Sequence, residues 1–235
     1  MNVLVLHRSE TLSAAIDQAV SDCGYLMGSV SFRQSSTAEF SSALESLLKE
    51  QKRQQREPEA LIIDATGTDD DRLTSPLRGE DPELPLMLNE AADSLLIRPV
   101  MASYLIAQNM VQKGRGRVIQ ILPLSMHEMS HSDAFFESSP GASLWPFQAA
   151  MMSALQTWTR GLALFAKDSG LTANNIICGP AASQSPHLGN ILEKTPGRKS
   201  LSPQGLSGVI TFLLDPQNHY LTGQNIMADQ GASIW

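Results

Sequence analysis

Only two cysteines, Cys23 and Cys178, occur in 235 residues. That is too few for a disulfide framework and fits a reducing compartment. Positive charge is scarce as well: 17 Lys and Arg against 24 Asp and Glu leave a formal net charge of −7. This argues against a nucleic-acid or membrane-surface partner, since both reward clustered Lys and Arg. The one basic run, Lys52-Arg53-Gln54-Gln55-Arg56, ends a helical pattern, where it complements the negative end of the helix dipole. No apolar run approaches the roughly 20 residues of a membrane span. The opening Met1-Asn2-Val3-Leu4-Val5-Leu6 has no basic stretch ahead of it and runs straight into charged residues, so it does not read as a signal peptide. A cytoplasmic location is expected.

What is present is ordinary globular material, 42% hydrophobic and 17% charged. Short apolar runs alternate with helix-period segments. Val3–Leu6 is followed by Leu12, Ile16, Ala19 and Val20 on one helical face, and Gly24 stops that helix. Leu26–Phe32 reads as a second strand. Ser36 and Glu39 form a capping-box pair opening a helix with Phe40, Leu44, Leu47 and Leu48 on its buried side. Ala60–Ile63 is a short apolar strand. A long helix is expected from about Glu90 to Lys113, then a strand over Val118–Leu122. A second long helix carries Phe147, Met151, Leu155, Trp158, Leu162 and Phe165. Strands at Ala173–Cys178 and Asn225–Ala228 flank a helix near Pro203–Leu214. Such alternation predicts an α/β fold, a doubly wound parallel sheet with helices on both faces. With no repeat, low-complexity linker or boundary in sight, residues 1–235 are expected to form a single domain.

Several blocks occur in a telling order: Gly116-Arg-Val-Ile-Gln-Ile121, Thr159-Arg-Gly-Leu-Ala-Leu164, Gly170, Asn174, Gly179, then Tyr220-Leu-Thr-Gly-Gln224 with Asp229-Gln-Gly231. Together they resemble the short-chain dehydrogenase/reductase family from about Asp64 onward, and more faintly from Met1. The resemblance implies a Rossmann-type sheet, NAD(P) as cofactor and hydride transfer as chemistry. Members usually open with Thr-Gly-x-x-x-Gly-x-Gly between the first strand and helix. Aligning on Ile16 and Gly24 places Leu6, His7, Thr11 and Ser13 at those four positions. Glycines there let the backbone approach the pyrophosphate, and side chains at His7 and Thr11 occupy that volume. Asp64-Ala-Thr-Gly67 stands where relatives have Asn-Asn-Ala-Gly, and it arrives early. About one βα unit of the N-terminal half is therefore expected to be missing.

The family's reaction centre uses a Tyr acid/base, a Lys that tunes it, a Ser that polarises the carbonyl and a supporting Asn. Counting back from Thr159-Arg160 puts Gln148 at the Tyr position and Met152 at the Lys position. An amide does not titrate and a thioether carries no charge. Leu122 and Pro123 replace the usual Ser-Ser, with Ser125 two residues beyond as a fallback. Leu95 falls at the Asn position, and Cys178-Gly179 stands for the usual Pro-Gly. Tyr104 and Tyr220 belong to other segments, and neither has a Lys four residues on.

The insertion over 123–146 holds His127-Glu-Met-Ser-His131, the His-Glu-x-x-His pattern of zinc proteases. On a helix, His127 and His131 would share a face with Glu128 beside them. The surrounding Ser, His, Asp and Gly-Pro composition favours a loop, Asp133 follows where an apolar residue is usual, and no third ligand stands out from His187, His219 and Glu137. No metal is expected.

The leading expectation is a non-catalytic relative of the family that acts by binding, with no cofactor. It would form a homo-oligomer, or a heteromer with a catalytic short-chain dehydrogenase, through the two long helices and the C-terminal segment that ends in Ile234 and Trp235. The alternative is an NAD(P)-dependent oxidoreductase with an atypical site built on Ser125 and a residue of the insertion. A small-molecule sensor or a metal-binding protein is a lesser reading.

Overall fold

A computed structural model describes residues 1–8, 12–31, 36–66, 82–124, 145–179, 192–193 and 195–234. Six strands pair in parallel throughout: β1 (Asn2–His7), β2 (Leu26–Ser31), β3 (Ala60–Asp64), β4 (Gly116–Pro123), β5 (Leu171–Cys178) and β6 (Asn225–Ala228). Their order in the sheet is β2-β1-β3-β4-β5-β6. Every residue of β3 and of β5 is buried, as strands covered on both faces must be. In the common doubly wound order two strands lie beyond the first. Among the described residues only β2 does, which matches the shortfall of one βα unit expected from the early arrival of Asp64.

The helices are α1 (Ser13–Asp22), α2 (Thr37–Arg53), α3 (Leu84–Ala92), α4 (Arg98–Gln112), α5 (Trp145–Phe165) and α6 (Pro203–Leu214). Helices α1 and α6 pack on one face through Ile16, Ala19, Leu206 and Ile210, against Val3, Val5, Ile62 and Ile176. Helices α2, α4 and α5 cover the other through Phe40, Leu44, Ile106 and Leu162, against Leu4, Leu6, Leu61 and Ala173. The α2 start follows the sequence reading: Ser36 Oγ accepts from the Glu39 amide at 3.2 Å, and Glu39 accepts from the Ser36 amide at 2.9 Å.

The helix expected over 90–113 differs. It is broken into α3, a π-helical segment at Asp93–Ile97, and α4. Pro99 explains the break. It has no N–H for the carbonyl of Leu95, and its ring crowds that carbonyl, so the preceding turn widens. Side chains hold the widened turn in place. Arg98 donates to Asp93 from Nη2 at 2.7 Å and from Nε at 3.1 Å, and Thr37 of α2 bonds the same carboxylate.

At the amino edge of the sheet, the turns before β4 and β5 meet backbone to backbone. The Gly170 amide donates to the Gly114 carbonyl at 3.1 Å, and a Cβ on Gly170 would lie 2.3 Å from that oxygen. Buried Arg117 closes the same edge, donating to the carbonyls of Gly116 at 2.9 Å and Pro216 at 3.2 Å. We expect Gly170→Ala to force the two turns apart and to destabilise the protein by about 1–3 kcal/mol, read by urea unfolding. Stability equal to the parent would show that the turns yield freely.

Candidate functional site

Helix α1, which follows β1, and helix α4, which precedes β4, leave the sheet on opposite faces. The order therefore reverses between β1 and β3, and ligands in such sheets bind outside the carboxyl ends of the strands at that reversal. Arg8, Asp64 and Thr66 stand there, all buried. The Arg8 amide continues the ladder onto the Asp64 carbonyl at 3.1 Å. The Asp64 carboxylate accepts from the Thr66 amide at 2.9 Å and from its hydroxyl, which fixes the turn out of β3. His7 and Asp64 are register partners on the face that also carries Val3, Val5 and Ile62. Leu6 is fully buried on the opposite face, while His7 and Ser13 are half-buried. Arg8 is the residue the sequence reading passed over. A charged residue directly after an apolar strand was the available signal.

Further along the edge, Leu124 donates to the Cys178 carbonyl at 2.7 Å and Gly179 donates to Ala228 at 3.0 Å. A Cβ on Gly179 would lie 2.7 Å from Asp229 Cα, so this position needs glycine for close approach. Burial first, and then the charge of Asp64, push the Cys178 thiol well above its ordinary range, so it stays protonated and inert. Asp229 accepts from the Gly231 amide at 3.0 Å and the Ser233 amide at 2.7 Å. Burial alone would raise its pKa, but these bonds hold the carboxyl below the usual range.

Two positions assigned to the reaction centre do come together. Leu95, on the π-helical segment, and Met152, on α5, share one apolar cluster with Ala65, Leu122, Leu155 and Ile177. Both are essentially fully buried. Gln148, one turn ahead of Met152 on the same helix, and Pro123, at the end of β4, are half-buried. Tyr104 packs against Trp158 and Phe165 in the helix layer, and Tyr220 is 91% exposed in the connection that leads to the amino end of β6. Neither tyrosine reaches the carboxyl edge. Thr11, Gly67, Ser125, His127, Glu128, His131, Asp133, Glu137 and His187 lie outside the described residues. Among the described residues no group of His, Cys, Asp and Glu forms a metal cluster, and no helix is long and apolar enough to cross a membrane.

A short-chain dehydrogenase of Leptospira borgpetersenii with bound NAD+ superposes with a TM-score of 0.75 at 19% identity, over 99% of this chain and 93% of that one. A short-chain dehydrogenase/reductase of Serratia marcescens gives 0.73 at 17% identity, over 99% and 97%. A 3-oxoacyl-(acyl-carrier protein) reductase of Brucella melitensis with bound NAD gives 0.72 at 15% identity, over 99% and 91%. The fold is that of the short-chain dehydrogenases. In sequence, 94 residues are 29% identical to the 1-cyclohexenylcarbonyl-CoA reductase of Streptomyces collinus; the match spans 36% of this chain and about a third (34%) of that enzyme. No family profile matches. At 15–19% identity these neighbours show the fold, and they lend no support to the expectation of a cofactor-free protein.

Because Asp229 is held ionised, its contribution to stability is present above the ordinary carboxylate pKa of about 3.9 and is lost as pH falls through the lower folded value. Asp229→Asn should therefore lower stability at pH 7, with the gap to the parent narrowing below about pH 4 in urea titrations. A gap that stays constant with pH would assign the loss to packing instead.

Proposed function

We propose that the chain is an NAD(P)-linked oxidoreductase with an atypical reaction centre. The observation that carries this reading is the strand-order reversal between β1 and β3 with Arg8, Asp64 and Thr66 gathered at it. A pyrophosphate laid across the reversal would meet the charge of Arg8 in place of a glycine-lined turn, and charge-assisted hydrogen bonds are the strong ones. Gly179 keeps the backbone close at the far end of the same edge. On α5 the Gln148 amide, one turn ahead of Met152, is a hydrogen-bond donor able to polarise a carbonyl without titrating. Hydride transfer would then proceed with the product proton drawn from solvent.

A second reading, the non-catalytic subunit, is favoured by a different observation. Leu95, Met152, Leu122 and Ile177 fill with hydrocarbon the layer where proton transfer would take place. The outer face of the π-helical segment, α4 and α5 suits association: Ile97, Tyr104, Leu164 and Phe165 are 47, 42, 73 and 49% exposed. Between them runs an apolar groove of about 630 Å3 lined by Leu96, Val100, Met101 and Trp158. A homo-oligomer, or a heteromer with a catalytic short-chain dehydrogenase, would bury this face.

One titration separates the two. Nicotinamide fluorescence with NADH and NADPH should report a Kd below about 100 μM, and Arg8→Ala should weaken it about tenfold. No binding by the parent, together with an oligomer in light scattering, would overturn the oxidoreductase reading and support the subunit.

A further inference from the structure

Directly beneath the apolar cluster lies a polar layer, buried at Gln120 and Asn175 and half-buried at Asn225. Gln120, Asn175 and Asn225 are register partners on β4, β5 and β6, so their side chains project in a row toward α5. Each stands two residues before a residue of the next layer up, Leu122, Ile177 and Met227. On α5 the same step is one turn, from Met152 to Gln156 and from Leu155 to Thr159. The polarity that Leu122, Met152 and Leu95 deny to the reaction-centre layer thus recurs one layer deeper.

Most of the row is satisfied within itself. Thr159 Oγ1 donates to Asn175 Oδ1 at 2.7 Å, Asn175 Nδ2 donates to Asn225 Oδ1 at 2.7 Å, and Asn225 Nδ2 donates to Gln156 Oε1 at 2.8 Å. Gln120 ends the row and is 0% exposed, yet neither its Oε1 nor its Nε2 finds a partner among the described residues. Exchanging the two amide atoms cures nothing, because both ends are alike in this. A primary amide buried without any hydrogen bond is strongly disfavoured, and native interiors resolve such groups with ordered water.

We propose that the Gln120 amide is the binding site of one internal water molecule, which completes the buried amide row. Gln120 supplies a donor and an acceptor. Asn175, the register partner of Gln120, takes one bond from Thr159 at Oδ1 and keeps a second lone pair there for further bonding. This proposal stands whether or not the chain binds a dinucleotide.

Two measurements test it on the full chain. A crystal structure at about 1.5 Å should show one water within about 3.2 Å of the Gln120 amide. Water magnetic relaxation dispersion should count one long-lived water fewer in Gln120→Met than in the parent. A parent map in which both amide atoms bond directly to protein, or in which no water is present there, overturns the proposal. An unchanged relaxation profile in a folded Gln120→Met does so as well.

Discussion

Eight consecutive residues of β5, Leu171 to Cys178, are buried, and β4 beside them is buried over Gly116–Leu122. A strand enclosed on both faces must satisfy every backbone group through its neighbours and every polar side chain through its own layer. The rest of the molecule answers to that demand. Gly114 and Gly170 close the amino edge by backbone contact, Gly179 lets the C-terminal segment lie against the carboxyl edge, and Arg117 gathers the carbonyls of Gly116, Gly170 and Pro216. Asn175 and Asn225 turn a polar stripe inward only because α5 brings Thr159 and Gln156 down to meet them.

The same enclosure decides the character of the functional edge. Layers alternate every two residues along β4 and β5. At the outer layer the chain places Leu122 and Ile177, joined by Leu95 and Met152, and at the inner layer Gln120 and Asn175. On the oxidoreductase reading proposed above, chemistry at the outer layer would come from groups around its rim, such as Gln148, Arg8 and Thr66. The inner layer serves to fix α5 against the sheet. A dinucleotide meeting this edge would find charge at β1 and β3 and hydrocarbon toward α5. That division is compatible with cofactor binding, and it requires a reaction centre without a tuned phenol.

The strands and their order of appearance were legible because burial on both faces writes short apolar runs such as Ala60–Ile63, and because Ser36 and Glu39 mark a helix start unambiguously. The early position of Asp64 foretold the single strand beyond β1. The π-helical turn at Asp93–Ile97 was not foreseen: Pro99 sat inside a pattern otherwise continuous from Glu90 to Lys113, and its effect falls on the carbonyl four residues earlier. Single positions of the site, Leu95 and Met152, could be aligned, but their meeting in one apolar cluster is a long-range fact that no local spacing encodes. Arg8 carried little signal in the sequence, because a single charge after an apolar strand has no period or motif of its own. The amide row escaped for a related reason, since Gln120, Asn175 and Asn225 are far apart in sequence and adjacent only through strand register.

If the chain is an NAD(P)-linked oxidoreductase, the reversal between β1 and β3 receives a dinucleotide. Crystals grown with saturating NADPH test it most directly. The account predicts ordered pyrophosphate density over the carboxyl ends of β1 and β3, within hydrogen-bonding reach of Arg8 and the Thr66 turn. A well-ordered map with no nucleotide at that edge, or with nucleotide seated elsewhere, would contradict it.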